Sequence, residues 1–67
     1  MEGWTCVYSG TQLHEAVFIK DFLEGNNITT VIINKQDSLY LIGEIELYVS
    51  VEDAFNANQL INKLKSE

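Results

Sequence analysis

The sequence predicts one α+β domain with the element order β-α-β-β-α, in which two helices accompany a three-stranded antiparallel or mixed sheet. The chain has 67 residues, which is enough for a single domain spanning 1–67. Its composition, 46% hydrophobic and 21% charged, is typical of a folded chain rather than a disordered one. Short runs rich in β-branched residues alternate with two stretches of helical periodicity, which gives the element order.

The first two elements are a strand at 4–8 and a helix at 12–24. The strand run is aromatic and β-branched, and Ser9 or Thr11 can supply the N-cap of the helix. At about 100° per residue the apolar residues of the helix gather on one face. They are Ala16, Phe18, Ile19, Phe22 and Leu23. Gly25 is predicted to end the helix in a left-handed C′ conformation, which suits a residue without a Cβ atom.

Two further strands at 28–33 and 45–49 precede a second helix that opens at Ser50, with Asp53 at the acid position of a capping box. Because crossover connections are right-handed, the third strand is expected between the other two and antiparallel to both. This is the split β-α-β, or ferredoxin-like, plan without its last strand. We therefore expect a truncated ferredoxin-like domain with both helices on one face of the sheet.

The alternation along the strands predicts a second apolar face. Ile45, Leu47 and Val49 point toward the helices, as do Thr5, Val7, Ile28, Thr30 and Ile32. The set predicted to point the other way is Cys6, Tyr8, Val31, Ile33 and Tyr48, with Trp4 at the start of its strand. A solvated sheet face alternates to polar residues, and this one does not. The alternative is a one-residue register shift that turns these side chains into the core.

Self-association is the expected use of that face. A domain this small buries only about 60% of the surface of its unfolded chain, so it needs additional stabilisation. Cys6 is the only cysteine, which leaves no disulfide within the chain. We predict a homo-oligomer, with a dimer preferred, that packs through the outward-pointing set or through a strand edge.

Charge and patterning argue against several classes of function. Ten acids against four lysines, with no arginine, give a net charge of −6, which disfavours nucleic acid and anionic membranes as partners. No apolar stretch reaches the roughly 18 residues of a membrane span, and the N-terminus lacks signal-peptide features, so a cytoplasmic protein is expected. No metal and no cofactor are predicted, because Cys6 and His14 are the only soft ligands and the acids match no calcium loop. Neither residue has a partner in sequence that would activate it, so no enzyme is expected.

The connection at 34–44 is the best candidate for binding. It is longer than the two to five residues usual in a hairpin, and long loops on small scaffolds often carry function. The predicted ligand- or partner-binding residues are Asn34, Lys35, Asp37, Ser38, Tyr40, Gly43 and Glu44. The alternative is an extended hairpin arm that makes subunit contacts.

Four segments resemble a known family: 13–16 with its Glu-Ala pair, 22–28 with Leu-Glu-Gly and Ile, 33–38 and 43–49. The family is a bacterial domain-of-unknown-function family labelled as a prokaryotic signal-transducing protein, similar in fold to the PII nitrogen regulators. The resemblance covers roughly residues 4–64. It implies the ferredoxin-like plan and a role in regulation rather than catalysis. In PII proteins the loop between strands two and three contacts partners, and 34–44 occupies that place, although this chain lacks their fourth strand.

The sequence thus predicts a small non-enzymatic regulatory or binding module that acts in signal transduction. The alternative is a structural oligomerisation subunit of a larger complex, with no small ligand.

Overall fold

The computed structural model describes residues 2–36 and 43–65, and all structural statements concern these two ranges. They contain one three-stranded sheet and two α-helices. The elements are β1 (Trp4–Gly10), α1 (Leu13–Gly25), β2 (Thr30–Asn34), β3 (Ile45–Ser50), a 3₁₀ turn (Val51–Asp53) and α2 (Ala54–Lys65). The strand order is β1-β3-β2, and β3 pairs antiparallel with both neighbours. The predicted α+β class, element order and central position of the third strand are confirmed. The boundaries of the strands and of α1 are displaced by one or two residues, and α2 begins four residues after Ser50.

The core lies against one face of β3. Ile45, Leu47 and Val49 are fully buried, as the alternation predicted. They belong to one cluster with residues of both helices and of the segment before β2, namely Ala16, Ile19, Leu23, Ile28, Ala57 and Ile61. We call the side of the sheet that carries Ile45, Leu47 and Val49 the inner face. Thr30 of β2 is buried, and its hydroxyl donates a hydrogen bond to the carbonyl oxygen of Ile28 at 3.1 Å.

A β-bulge in β1 changes which residues point inward. Cys6 lies opposite Tyr48, but the next paired residue is Tyr8, opposite Leu47, so Val7 is the extra residue. Because Leu47 is on the inner face, its partner Tyr8 is there too, and both Val7 and Tyr8 pack against the core cluster. The prediction that Tyr8 points outward is wrong, since strict alternation along β1 takes no account of an inserted residue.

Both ends of α1 differ from the prediction. The N-cap residue is Gln12, which makes no side-chain cap, so neither Ser9 nor Thr11 has that role. At the other end Gly25 is still helical, and the left-handed residue is Asn27 with φ 66°. The N–H of Asn27 donates to Glu24 O at 3.0 Å, and that of Ile28 donates to Leu23 O at 3.1 Å. This is a Schellman motif with asparagine at C′, and its two apolar partners, Leu23 and Ile28, are both buried.

The buried stripe of α1 is narrower than predicted. It consists of Ala16, Ile19 and Leu23, with Phe22 half-buried beside it. Phe18 is 61% exposed, so its predicted place on the core face is wrong. Phe18 lies on the flank of the stripe, where none of the helices and strands described covers it.

The second helix starts through a 3₁₀ turn. The hydroxyl oxygen of Ser50 accepts a hydrogen bond from the N–H of Glu52 at 3.3 Å, which satisfies one of the first free amides. Ser50 therefore opens this segment as predicted. Ala57 and Ile61 are buried in the core cluster. Within 2–36 and 43–65, no helix has both the length and the apolar character needed to cross a membrane.

Candidate binding surface

The sheet carries an apolar surface on the side away from the core cluster. We call it the outer face, and it consists of Trp4, Cys6, Val31, Ile33 and Tyr48. Cys6, Tyr48 and Val31 form one row across all three strands, because Tyr48 is the register partner of both others. All five are half-buried except Cys6, which is exposed. None of them belongs to the core cluster or to the residues packed against it, so this surface is separate from the core.

A charged group lies on the same side of the sheet, since Glu46 of the central strand is the register partner of Ile33. Glu46 Oε1 accepts hydrogen bonds from Lys35 Nζ at 3.0 Å and from the Tyr48 hydroxyl at 2.9 Å. The hydrogen bond to Lys35 lowers the pKa of Glu46, and the same contact raises the pKa of Lys35. The carboxylate acceptor also raises the pKa of Tyr48. Glu46 and Lys35 therefore remain oppositely charged at neutral pH, and the Glu46 carboxylate orients the Tyr48 hydroxyl that donates to it.

Both edges of the sheet carry features that discourage strand pairing. On β1 the bulge at Val7 interrupts the regular edge. On β2 the N–H of Thr30 makes a long hydrogen bond of 3.5 Å to Glu24 Oε2. Glu24 is itself held by Lys20, whose Nζ lies 3.0 Å from the other carboxylate oxygen. Bulges and charged side chains at an edge are common means of preventing edge-to-edge association. Of the two routes predicted for self-association, these features favour the outer face.

The base of the 34–44 connection continues the hairpin. The N–H of Lys35 donates to the carbonyl of Glu44 at 3.0 Å, one step beyond the last ladder pair of β2 and β3. Gly43 has φ +109°, and a Cβ atom built on it would lie 2.5 Å from the backbone oxygen of Lys35. Only glycine fits this close approach without a backbone shift. The described ends of the connection therefore have the geometry of the hairpin-arm alternative.

Of the remaining predicted loop residues, Asn34 is the one that lies within the described ranges. Asn34 Oδ1 accepts a hydrogen bond from the N–H of Gln36 at 2.8 Å, so its side chain shapes the turn out of β2. Gln36 Nε2 donates to the carbonyl of Thr11 at 2.7 Å, which ties the connection to the turn between β1 and α1. The other predicted binding residues, Asp37, Ser38 and Tyr40, lie outside the described residues.

Sequence reasoning did not identify the Gln36 contact. Its partner is 25 positions away in the chain, and no periodicity or motif joins the two. It also did not identify the hydrogen bond from the Tyr8 hydroxyl to Glu15 Oε1 at 2.5 Å, which links β1 to α1. Gly10 leaves space for the Tyr8 ring, since a Cβ atom there would lie 2.5 Å from the hydroxyl. Burial, followed by the Glu15 carboxylate, raises the pKa of Tyr8 to about 12.

The residues weighed for chemistry are not brought together. Cys6 Sγ donates to the carbonyl of Tyr8 at 3.3 Å rather than contacting a basic side chain, and His14 is exposed on α1. In the described part of the chain, no three His, Cys, Asp or Glu side chains are close enough to hold a metal ion.

Comparison with protein-family models, with curated proteins and with solved structures finds no match to this chain. The resemblance to the signal-transducing family therefore stays a prediction from the residues that carry it. The class of protein shown is a small α+β domain with a three-stranded antiparallel sheet.

Proposed function

We propose that this protein is a small, non-enzymatic regulatory or binding module that dimerises through the outer face of its sheet. The observation that carries the proposal is the apolar row of Cys6, Tyr48 and Val31, which crosses all three strands and takes no part in the core cluster. The domain has the truncated ferredoxin-like plan, with both helices on the inner face. Residues of α1 and α2 share one buried cluster with the inner side of β3, which supports that arrangement.

A second copy of this chain is the occupant that best fits the outer face. In the described ranges the largest fully buried side chains are those of Ile45, Leu47 and Val49 on the inner face and of Leu23 on α1, and a domain of this size gains stability by burying more. Standard interfaces combine an apolar centre with a polar rim. The apolar row supplies such a centre, and the ion pair between Lys35 and Glu46 supplies polar groups beside it. With both edges blunted, face-to-face packing about a two-fold axis is the favoured route.

The test is a lysine at the end of the apolar row. In a face-to-face dimer, Val31→Lys places an ammonium group in a desolvated apolar interface, which costs several kcal/mol. The dissociation constant should rise by a factor of about 100 or more. Asn58→Lys is the matched control, because it adds the same charge at an exposed position of α2. Native mass spectrometry and light scattering measure the assembly. A monomeric wild type, or equal dissociation in both variants, contradicts the proposal.

The 34–44 connection is the part that we propose contacts a partner in signal transduction. It leaves the sheet beside Lys35 and Glu44, at one end of the outer face. Asp37→Ala and Tyr40→Ala should weaken binding of a partner recovered with the purified protein while leaving the unfolding temperature unchanged. If every recovered partner binds both variants as it binds the wild type, the connection has no such role.

A structural oligomerisation subunit of a larger complex is the second candidate. The observation that favours it is the backbone pairing of Lys35 with Glu44, which makes the base of the connection an extension of the sheet. This function predicts one stoichiometric protein partner and no bound small molecule. Native mass spectrometry of the purified protein separates the two, because a ligand-binding module would carry a reproducible additional mass.

A further inference from the structure

A polar groove lies between the turn after α1 and the exposed side of α2. Its volume is about 290 Å³, close to the lower end of ligand sites at roughly 300 Å³. The residues that line it include Asn27, Asn56 and Gln59, which carry amide groups, and the apolar residues Ile28 and Leu60. We call this site the amide groove. It is distinct from the outer face and shares no residue with it.

The groove extends along one side of α2. It is lined by Asp53, the last residue of the 3₁₀ turn, and by Asn56, Leu60 and Lys63 of α2, whose spacings of four and three residues place them on one side of the helix. At 1.5 Å per residue, the ten steps from Asp53 to Lys63 correspond to about 15 Å. The groove therefore has the carboxylate of Asp53 near one end.

The amides of the groove are available for hydrogen bonding. Asn26 uses its side-chain amide to donate to the carbonyl of Phe22 at 2.8 Å. The side chains of Asn27, Asn56 and Gln59, by contrast, make no hydrogen bond to any residue within 2–36 or 43–65. Each presents a donor and an acceptor side by side, which is the pairing pattern of a peptide unit.

The backbone gives a second, independent reason to assign a role to Asn27. This residue occupies the left-handed C′ position with φ 66°, where glycine carries no steric cost. The nearby glycine, Gly25, is helical, and a Cβ atom there would meet no atom within 4 Å. A more stable chain would have alanine at 25 and glycine at 27. Side chains kept at a cost to stability are typical of binding sites, where function and stability compete.

We propose that the amide groove binds a short, extended peptide segment. A length of about 15 Å matches four or five extended residues at about 3.3 Å each. The amides can pair with the main chain of such a segment, while Ile28 and Leu60 contact its small apolar side chains. Asp53 then faces the ammonium end of the segment. A saccharide is disfavoured, because no aromatic side chain from the described ranges lines the groove to stack on a sugar ring.

The experiment is a titration of the ¹⁵N-labelled full chain with tetra-alanine, followed by two-dimensional NMR. The side-chain amide signals of Asn27, Asn56 and Gln59 should shift together, with a dissociation constant of about 1 mM. Asn56→Ala and Gln59→Ala should each weaken binding about fivefold, the effect of one lost neutral hydrogen bond. Asn58→Ala and Asn62→Ala are the matched controls, because both asparagines are exposed on the same helix outside the groove and should leave the affinity unchanged.

Asn27→Gly separates binding from folding. It should raise the unfolding temperature and also weaken tetra-alanine binding about fivefold, a combination that general destabilisation cannot produce. The proposal is overturned if tetra-alanine at about ten times the expected 1 mM dissociation constant shifts no groove signal. It is also overturned if the control variants lose affinity equally, or if maltotriose shifts the groove signals and the peptide does not. None of these outcomes depends on dimerisation through the outer face.

Discussion

The two faces of the sheet are built from similar residues but have different surroundings. On the inner face Ile45, Leu47 and Val49 are fully buried under one cluster that both helices complete. On the outer face Tyr48 and Val31 are only half-buried, although they alternate with the buried residues along the same strands. The alternation of side chains along the strands thus gives the sheet two apolar surfaces. The core cluster covers the inner one and leaves the outer one without a partner in the described ranges.

This difference separates the residues that fold the domain from those available for binding. Inner-face side chains are packed on all sides, so shortening one leaves a cavity. Outer-face side chains are held by strand pairing and, at the Tyr48 hydroxyl, by Glu46. We therefore expect stability to respond strongly to changes on the inner face and weakly to changes on the outer face.

The largest effect is expected from Leu47→Ala, which removes a fully buried side chain from the central strand. The cost should be about 3 kcal/mol, within the range for buried leucine truncations. For a domain of this size, each kcal/mol lowers the unfolding temperature by about 4–8 °C. Tyr48→Ala, one residue away on the other face, should cost much less. Equal losses in thermal unfolding at low protein concentration would mean that the two faces do not differ in this way.

The next effect concerns the register that keeps the faces apart, since a slip of one residue between β2 and β3 would exchange them. Gly43→Ala should cost about 2 kcal/mol or more, because it combines positive φ with a clash against the Lys35 carbonyl. Gly3→Ala is the control: its φ is +81°, but no atom lies within 4 Å of the added Cβ. Urea unfolding compares them. If Gly3→Ala is as costly as Gly43→Ala, the close approach to Lys35 contributes nothing.

A smaller effect is expected from Tyr8→Phe, which removes the hydrogen bond to Glu15 and should cost about 1 kcal/mol. The pKa of Tyr8 is raised from 10.0 to about 12, so folding favours its protonated form. The contribution of protonated Tyr8 to the free energy of unfolding is fully present below pH 10 and is lost as the pH rises toward 12. Tyr8→Phe should flatten the fall in stability across this window in denaturant titrations. An equally steep fall in the variant would contradict the assignment.

The smallest effect is expected on the outer face, from Glu46→Gln, which removes the negative partner of Lys35. The pKa of Glu46 is lowered from its ordinary value of 4.5, so folding favours the charged carboxylate. The resulting stabilisation is present above pH 4.5 and is lost as the pH falls below it. The variant should be slightly less stable at pH 7 in low salt and equal to the wild type in high salt. Glu44→Gln, an exposed neighbour, is the control for net charge. A salt-independent loss would point to packing rather than charge.

Much of the fold was predictable from the sequence, because the relevant signals are local. The β-branched runs, the helical periodicity and the alternation of Ile45, Leu47 and Val49 gave the element order and the inner side of β3. The errors arose where a local signal competes with three-dimensional context. The bulge at Val7 leaves no mark on composition, and it alone moved Tyr8 to the inner face. Gly25 was predicted to be the left-handed residue that ends α1. That residue is Asn27, and the turn there allows Ile28 to pack on Leu23.

Less of the candidate surface was predictable. Lys35 and Gly43 stood out as members of a long connection, but their actual contacts, a ladder hydrogen bond and a close approach, depend on the register of β2 and β3. The bond between Gln36 and Thr11 joins positions 25 residues apart, which no single-sequence pattern encodes. The amide groove likewise combines a turn near residue 27 with a helix that begins at 54, and only the fold brings them together.

The strand order has a consequence for how this chain is made. β1 and β2 leave the ribosome first, yet neither has a neighbour in the sheet until β3 is synthesised between Ile45 and Ser50. At about 5–20 residues per second, translation therefore leaves both strands without a sheet partner for on the order of a second or more. The bulge at Val7 exists only in the pairing of β1 with β3, so it cannot act on the chain during that interval. The central strand is thus the last part of the sheet to be made and the part on which both edge strands depend.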